Sequence, residues 1–562
     1  MVSLGFSVGH DKGCVIIVDG EVKVGISQER ITRVKHDGAY STGLPVESID
    51  YCLKYLGFEY SDVDRWTFDT VEDDDVVADS FEKTFGIGKS RLHFIPHHLA
   101  HAYSTFYSSG FSEAAVVVAD AMGSVLKRNS NALKWFNQEW PGTEDYEYAE
   151  GITIYKFSQE EDREVYKKLI KYPMLIDENS ETSIGEQYTK GSLQLVYDTK
   201  THSWPAGKLM GLASYADQEW VNQIPSHTTL REYDIFIPSV KIMPEVDYKS
   251  DFYSKANVAG LYQRDQEQNS IHLVEMAKRL TGSENVCVAG GSFLNCNTNE
   301  MIIKSGLYKD QYFVPCSDDS GIPLGCAWWG YVKSGGAHKG KYLNPYMGRS
   351  YSDLQIKDDI DKASSEFEFG DLVNIELYRD KSEQIKNVAS LINQNKVIGL
   401  FQGGSEIGPR ALGNRSIIAS PKCSWMKDHI NHDIKLREWY RPFAPSVLFE
   451  KQKDVFDLDV YSPYMMVTAR VREEWKSKIP SVVHIDGTSR YQSVTKESNL
   501  YYHKLISEFE SISGIPLVLN TSFNGPDEPI VESPYHAIRT FWGRNLHALC
   551  IGNYVITRKP NQ

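Results

Sequence analysis

The sequence predicts a chain in two parts, an α/β unit followed by an α+β unit, on three observations. Residues 2–30 hold three short runs, SLGFSVGHD, GCVIIVDG and EVKVGISQE, parted by Gly and Asp turns. Their alternation of apolar and polar residues is the period-two signature of strands. From residue 285 on, two strand–loop–helix units follow one another, NVCVAGGSFLNCNTNEMIIKSG and DQYFVPCSDDSGIPLGCAWWGYVKSGG. A stretch rich in Gly, Tyr and Asp over 335–370 then interrupts the pattern. It sets the expected boundaries: a first domain at 1–345, a linker at 346–370 and a second domain at 371–562.

In chain order, PVESIDYCLKYLG reads as a helix, with Pro near its start and Gly at its end. RWTFDT and RLHFI read as strands, the second running into a helix over HHLAHAYSTFYSSG. EAAVVVADAMGS reads as a buried strand ending in a loop. Residues 125–265 read as an irregular insertion, with little periodicity before SIGEQYTKGSLQLVYD and AGKLMGLASYA. Regular structure resumes with a helix at SIHLVEMAKRLTG. No internal repeat stands out.

Hydrophobic residues at 41% and charged residues at 24% lie in the ordinary soluble range. No run approaches the ~18 apolar residues of a membrane helix. The opening MVSLGFSVGHDKG lacks the basic and apolar regions of a signal peptide, so a cytoplasmic protein is expected. A net charge of −15 argues against stable binding to nucleic acid or an anionic membrane. The eight cysteines form no C-x-x-C pair and read as free thiols.

His97 and His101 stand four apart at the start of a predicted helix. Such residues share a face, with Cβ atoms about 5–6 Å apart, so both imidazoles reach one cation. That spacing alone more often marks two unrelated histidines. Asp120, ending AAVVVAD, and Asp319, in SDDSG, change the balance, because ligand sites in α/β folds collect at the carboxyl ends of strands. Two imidazoles with one or two carboxylates suit a divalent Fe(II), Mn(II) or Zn(II).

Gly290 and Gly291 come after the apolar strand NVCV and before a helix. Glycine there lets the backbone approach a phosphate or nucleotide closely, although the loop is neither a Walker A nor a G-x-G-x-x-G. The N-terminal hairpins and the strand–loop–helix units are the two halves an actin-like ATPase fold needs.

Between Arg410 and Arg441 there are seven Lys/Arg and three Asp/Glu. A solvated basic face is the plain reading. Against it, Arg410, Arg441 and Arg490 sit in apolar or turn contexts, GPRALG, YRPFAPSV and DGTSRYQSV. Arginine forks grip phosphate or carboxylate, and Lys435 adds a point charge. The charges form no stripe, so a small dianion fits better than a polynucleotide. Asn520, Ser522 and Asn524 in VLNTSFNG offer hydrogen bonds to a polar ligand.

Together these segments resemble the O-carbamoyltransferases of nodulation-factor, cephamycin and tobramycin-type biosynthesis. The resemblance spans nearly the whole chain. It rests on GHD at 9–11, ERITRVKHDG at 29–38, HHLAHAYS, AGKLMGLASYA, AGGSFLNCN, SDDSG, GPRALGNRSI, REWYRPFAPSV, HIDGTSRYQSV and PLVLNTSFNGPDEPIV. It implies an N-terminal actin-like (ASKHA) domain followed by a YrdC-like domain. The YrdC-like domain makes carbamoyl-adenylate from carbamoyl phosphate and Mg-ATP, and the actin-like domain passes the carbamoyl group to a hydroxyl of a small-molecule, sugar or nucleotide acceptor.

By motif, His97, His101, Asp120 and Asp319 look like the metal ligands, with Fe(II) favoured. His10 and Lys35 resemble acceptor-side catalytic residues; an ordinary imidazole near ~6.5 takes a proton at neutral pH, while a plainer role for His10 is to cap the first hairpin. Arg410, Lys435, Arg441, Arg490, Asn520 and Ser522 look like the carbamoyl phosphate pocket, with Gly290, Gly291 and Asn295 along the nucleotide. The chain departs from the family pattern at GGSE, 403–406, where a larger, partly basic segment is expected. Two competing expectations are a tRNA threonylcarbamoyl-type enzyme and a non-enzymatic nucleotide-dependent scaffold. A homodimer is the default for the assembly.

Overall fold

The three N-terminal apolar runs form the meander their alternation predicts. In the computed structural model they are Val2–Ser7 (β1), Gly13–Val18 (β2) and Glu21–Ser27 (β3), joined by Arg65–Asp69 (β4) and Leu92–Phe94 (β5) in a sheet ordered β3-β2-β1-β4-β5. β1 is antiparallel to β2 and parallel to β4, and β5 is parallel to β4. Leu4, Phe6, Ile16, Trp66 and Phe81 build the buried core beside it. The structure describes residues 1–37, 43–70, 74–126, 147–158, 160–172, 181–197, 205–239, 251–337 and 340–559.

A second sheet uses Glu113–Ala119 (β6), Val125–Leu126 (β7), Glu147–Ser158 (β8) and Asp162–Tyr172 (β9). Thr229–Arg231 (β10) and Asp234–Phe236 (β11) make a small separate hairpin, and Asn285–Ala289 (β12) and Asp310–Phe313 (β13) complete the second sheet. β9, β8 and β6 are neighbours with antiparallel pairing, and β12 and β13 continue parallel to β6. This repeats the order and polarity of the first sheet. The repeat lies in topology, which needs only matching strand patterns, and the sequence shows no trace of it.

The helix His97–Ser109 ends at Gly110, which takes φ +77° as a left-handed cap. It packs against the helix Ile322–Lys333 at Gly325, where a Cβ would lie 1.8 Å from the Ala100 carbonyl oxygen. Only glycine permits that approach.

The described part of residues 125–265 is not the irregular insertion expected. It holds the β8–β9 hairpin, the helices Ile184–Val196 and Ala206–Ala213, and the start of a long helix, Phe252–Thr281. β8 is buried on both faces from Ala149 to Tyr155, so its alternation disappears. The long helix buries Gln263, Asp265, Gln266 and Asn269, and these polar residues on an inward face hide its apolar period. The expected linker at 346–370 likewise contains a helix, Asp353–Glu366, whose buried Ile356, Ile360 and Ala363 are thinly spaced among charged residues.

The chain divides into two compact units, Met1–Thr32 with His36–Leu343, and Arg33–Lys35 with Asn344–Gln562. The second unit is built on nine strands: Val373–Leu377 (β14), Ile398–Phe401 (β15), Arg415–Ala419 (β16), Ala444–Leu448 (β17), Val467–Arg470 (β18), Thr488–Val494 (β19), Leu517–Ser522 (β20), Ala548–Ile551 (β21) and Tyr554–Arg558 (β22). They lie in the order β14-β22-β21-β15-β16-β20-β17-β19-β18. None of the eight cysteines is in a disulfide, and all except Cys423 are buried. Among the described residues no helix is long and apolar enough to cross a membrane.

Candidate functional site

In the first unit, strand ends converge on the helix His97–Ser109. Its first turn presents His97 and His101 on one face, Asp120 follows β6, and Asp319 opens the turn after β13. One donor atom from each of these four residues lies within 4.8 Å of all the others. His97 Nε2 is 3.4 Å from Asp120 Oδ2 and 3.4 Å from Asp319 Oδ1, and His101 Nε2 is 3.1 Å and 3.5 Å from the same atoms. Ligands about 2.1 Å from one cation, at tetrahedral or octahedral angles, stand about 3.0–3.4 Å apart. The four donors therefore fit a divalent ion, and their two-imidazole, two-carboxylate chemistry suits Fe(II), Mn(II) or Zn(II).

Further groups hold these donors in place. Asp69, at the end of β4, lies 2.8 Å from His97 Nδ1 and is itself buried. Ser124 Oγ accepts a hydrogen bond from the His97 amide at 2.9 Å, and Glu150 Oε2 accepts from the His98 amide at 3.2 Å. The helix begins at Pro96 without a side-chain cap of its own, so these two residues satisfy its first free amides. The Ala121 amide donates to Asp120 Oδ1 at 2.7 Å, and the Gly291 amide reaches the same oxygen at 3.4 Å. Gly290 has φ +95°, and a Cβ on it would meet the Ala119 carbonyl oxygen at 2.2 Å. The glycine pair thus lies directly against Asp120. Asn295 caps the helix Cys296–Lys304 through Oδ1 and exchanges two hydrogen bonds with Gln263 at 2.9 and 3.1 Å.

His10 stands beside the cluster, with Nε2 3.3 Å from Asp319 Oδ2 and Nδ1 2.9 Å from Asp11 Oδ2. Asp11 Oδ1 is 2.9 Å from His36 Nδ1. Burial opposes charge on His10, but Asp319 and the Asp11 contact overcome it and lift the imidazole to about 10. Burial likewise opposes charge on His97, and the carboxylates of Asp319 and Asp69 raise it well above its ordinary value. A cation bound by these donors competes with those protons.

In the second unit, Glu406 Oε1 accepts three backbone N–H bonds, from Leu412 at 2.8 Å, Asn414 at 2.7 Å and Arg415 at 3.1 Å. This 2% exposed carboxylate shapes the loop that carries Arg410. The GGSE segment therefore has a structural job, and at Gly404 a Cβ would meet the Gly348 carbonyl oxygen at 2.1 Å. Arg415 is fully buried; it donates to the carbonyls of Gln402 and Gly403 and lies 3.6 Å from the Phe401 ring centroid. Its charge serves the fold.

Lys435 is 5% exposed, and Nζ donates to Ser522 Oγ at 3.3 Å and to the Asn524 carbonyl at 3.1 Å. Burial, then the positive charges of Arg437, Lys35 and Arg441, push its ammonium well below the usual lysine range. Burial and Arg441 act in the same sense on Arg437, with Arg490 adding to them. Lys435, Arg441 and Arg490 are thus electrostatic neighbours with Lys35 and Arg437. Arg410 connects through the next residue, whose carbonyl accepts from Asn520 Nδ2 at 3.0 Å. Lys35, paired with His10 on sequence grounds, counts with the second unit, where Arg33 donates to the Ile530 and Pro529 carbonyls at 2.7 and 2.6 Å.

Asp69 escapes notice in the sequence, and Glu406 and Arg437 stand out there only within GGSE and among the seven Lys/Arg. Asp69 ends an apolar strand just as Asp120 does, and that shared position is a usable signal. Glu406 and Arg437 acquire their roles only through burial.

Comparison with known proteins agrees with this division. Residues 3–86 and 75–328 match the family described as Carbamoyltransferase N-terminus, and residues 389–558 match Carbamoyltransferase C-terminus. The chain is 30% identical to nodulation protein NolNO of Sinorhizobium fredii, over 98% of this chain and 79% of that protein. It is 29% identical to nodulation protein NolO of Bradyrhizobium diazoefficiens, over 83% of this chain and 79% of that one. Among solved structures, HypF of T. kodakarensis aligns with 61% of this chain and 49% of that chain at 12% identity and a TM-score of 0.32.

Proposed function

Because the chain belongs to the carbamoyltransferase family, we propose that its second unit forms carbamoyl-adenylate from carbamoyl phosphate and Mg-ATP, and that its first unit transfers the carbamoyl group to an acceptor hydroxyl. The acceptor is a small molecule, a sugar or a nucleotide. The observation that carries this reading is the burial of Lys435 beside Arg437, Arg441 and Lys35. A bound dianion relieves their mutual repulsion. The strand order β3-β2-β1-β4-β5, repeated in the second sheet, supports an actin-like reading of the first unit. The second unit corresponds to the YrdC-like part.

In the first step carbamoyl phosphate, ATP and water give carbamoyl-adenylate, pyrophosphate and phosphate. Phosphate leaves the donor, and the carbamate oxygen attacks the α-phosphorus as pyrophosphate departs. Arg410, Lys435, Arg441 and Arg490 neutralise the donor phosphate, and Ser522 and Asn520 orient it. In the second step the acceptor oxygen attacks the carbamoyl carbon and AMP leaves. His10 Nε2 takes the hydroxyl proton. Asp319, and after it the Asp11 contact, lift His10; a cation held by Asp319 would offset the first of these and bring His10 toward the range in which it accepts a proton at neutral pH. His97, His101, Asp120 and Asp319 would hold a divalent ion, which would supply Lewis acidity toward the carbamoyl group. The Gly290–Gly291 loop, braced by Asn295, borders the nucleotide.

Two variants test the division of labour. Arg490→Ala abolishes ATP–pyrophosphate exchange driven by carbamoyl phosphate. His97→Ala keeps exchange but loses the metal and acceptor transfer. Undiminished exchange in Arg490→Ala rejects the pocket.

A further inference from the structure

One face of the second unit's sheet carries a set of buried polar residues on adjacent strands: Asn520 on β20, Ser446 on β17 and Gln492 on β19, at 1%, 0% and 2% exposure. Their hydrogen bonds run in one direction. Gln492 Nε2 donates to the Leu412 carbonyl at 2.8 Å, which fixes that amide and leaves its Oε1 to accept from Ser446 Oγ at 2.6 Å. Having donated its proton there, Ser446 Oγ accepts from Asn520 Nδ2 at 2.9 Å. The same nitrogen donates to the Ala411 carbonyl at 3.0 Å and reaches Gln492 Oε1 at 3.3 Å. Every neighbour of Asn520 Nδ2 is an acceptor, so this amide has one orientation. Its Oδ1 is left buried with no hydrogen-bond partner. Such an acceptor is met by water, an ion or a ligand's donor, and its place beside the basic pocket points to a ligand.

The sheet register places that oxygen among the anion-binding groups. Asn520 pairs with Ala444, and Ser446 pairs with Gln492. Continued two residues back from the Ser446–Gln492 pair, the β17–β19 register brings Arg490 level with Ala444, which sets the small side chain of Ala444 between Asn520 and Arg490 on this face. Ser522, two residues on from Asn520 and on the same face, accepts from Lys435. Lysine and arginine have no acceptor atom, so none of these cations can read an N–H group.

We propose that Ser446 and Gln492 are positioning residues that lock the Asn520 amide with Oδ1 toward the donor's NH2 group, and so make the pocket select carbamoyl phosphate over acetyl phosphate. The inference rests on the reading of this pocket as the carbamoyl phosphate site. Acetyl phosphate has the same phosphate and carbonyl but a methyl in place of NH2. It leaves Oδ1 buried and unpaired, the kind of mismatch a site built for an N–H rejects strongly.

The test is calorimetric titration of the full-length protein and its Ser446→Ala and Gln492→Leu variants with carbamoyl phosphate, acetyl phosphate and inorganic phosphate. Wild type is expected to prefer carbamoyl over acetyl phosphate by at least about tenfold. Each folded variant shrinks that ratio at least about fivefold, because carbamoyl phosphate weakens while acetyl and inorganic phosphate hold their affinities. An unchanged ratio in the variants, or equal weakening of all three ligands, overturns the proposal and leaves the pocket reading standing. Failure of wild type to bind carbamoyl phosphate overturns both. Ser446→Ala removes a single oxygen and keeps the test decisive if Gln492→Leu does not fold.

Discussion

His97 Nδ1 lies 2.8 Å from Asp69 Oδ2 in a fully buried contact, and that contact turns His97 Nε2 toward Asp120 and Asp319. A carboxylate behind a ligating imidazole fixes its tautomer and raises its basicity. Asp69→Asn is expected to weaken metal binding about 10–100-fold while ATP–pyrophosphate exchange is kept. Metal titration of the variant checks this; undiminished affinity contradicts it.

Glu406 gathers three backbone amides onto one oxygen. Glu406→Gln removes the charge from these bonds and is expected to cost about 1–3 kcal/mol of stability in denaturant unfolding. Carbamoyl phosphate affinity falls with it, because Arg410 rides on the same loop. Unaltered unfolding and binding contradict the assignment.

Lys435 gives a pH dependence with a definite sign. Burial and like charges depress its folded pKa below the ordinary 10.5. Between the depressed value and 10.5 the unfolded chain binds a proton that the folded chain does not, so stability rises as pH rises through that window. Phosphate binding restores the charge and takes up a proton there. Titration calorimetry above neutral pH, in buffers of contrasting ionisation enthalpy, is expected to show this uptake, and Lys435→Met removes it. Buffer-independent heats for wild type contradict it.

Gly290 combines φ +95° with a Cβ position 2.2 Å from the Ala119 carbonyl oxygen. Gly290→Ala is expected to cost about 2 kcal/mol or more and to loosen metal binding, since Asp120 is the next residue after Ala119. Wild-type stability and metal affinity in this variant contradict the packing argument.

Legibility in the sequence followed burial. The meander over 2–27 and the helix His97–Ser109 carry clean alternation or end signals, and both are readable. His97, His101, Asp120 and Asp319 are readable because their residue types and strand-end positions are unusual together. β8 and the helix Phe252–Thr281 are not, since two buried faces or a buried polar face erase the period. Ser446 and Gln492 lie inside quoted motifs, yet in sequence they look like ordinary strand polar residues. Arg415 shows the reverse, a cation counted toward the basic pocket that the fold spends on three backbone carbonyls.

The most direct test of the account follows the carbamoyl carbon. Full-length protein is given carbon-labelled carbamoyl phosphate and Mg-ATP without an acceptor, and the products are resolved by chromatography. Label is expected in carbamoyl-adenylate with an equal amount of pyrophosphate. Label released with no AMP adduct and no pyrophosphate would contradict it.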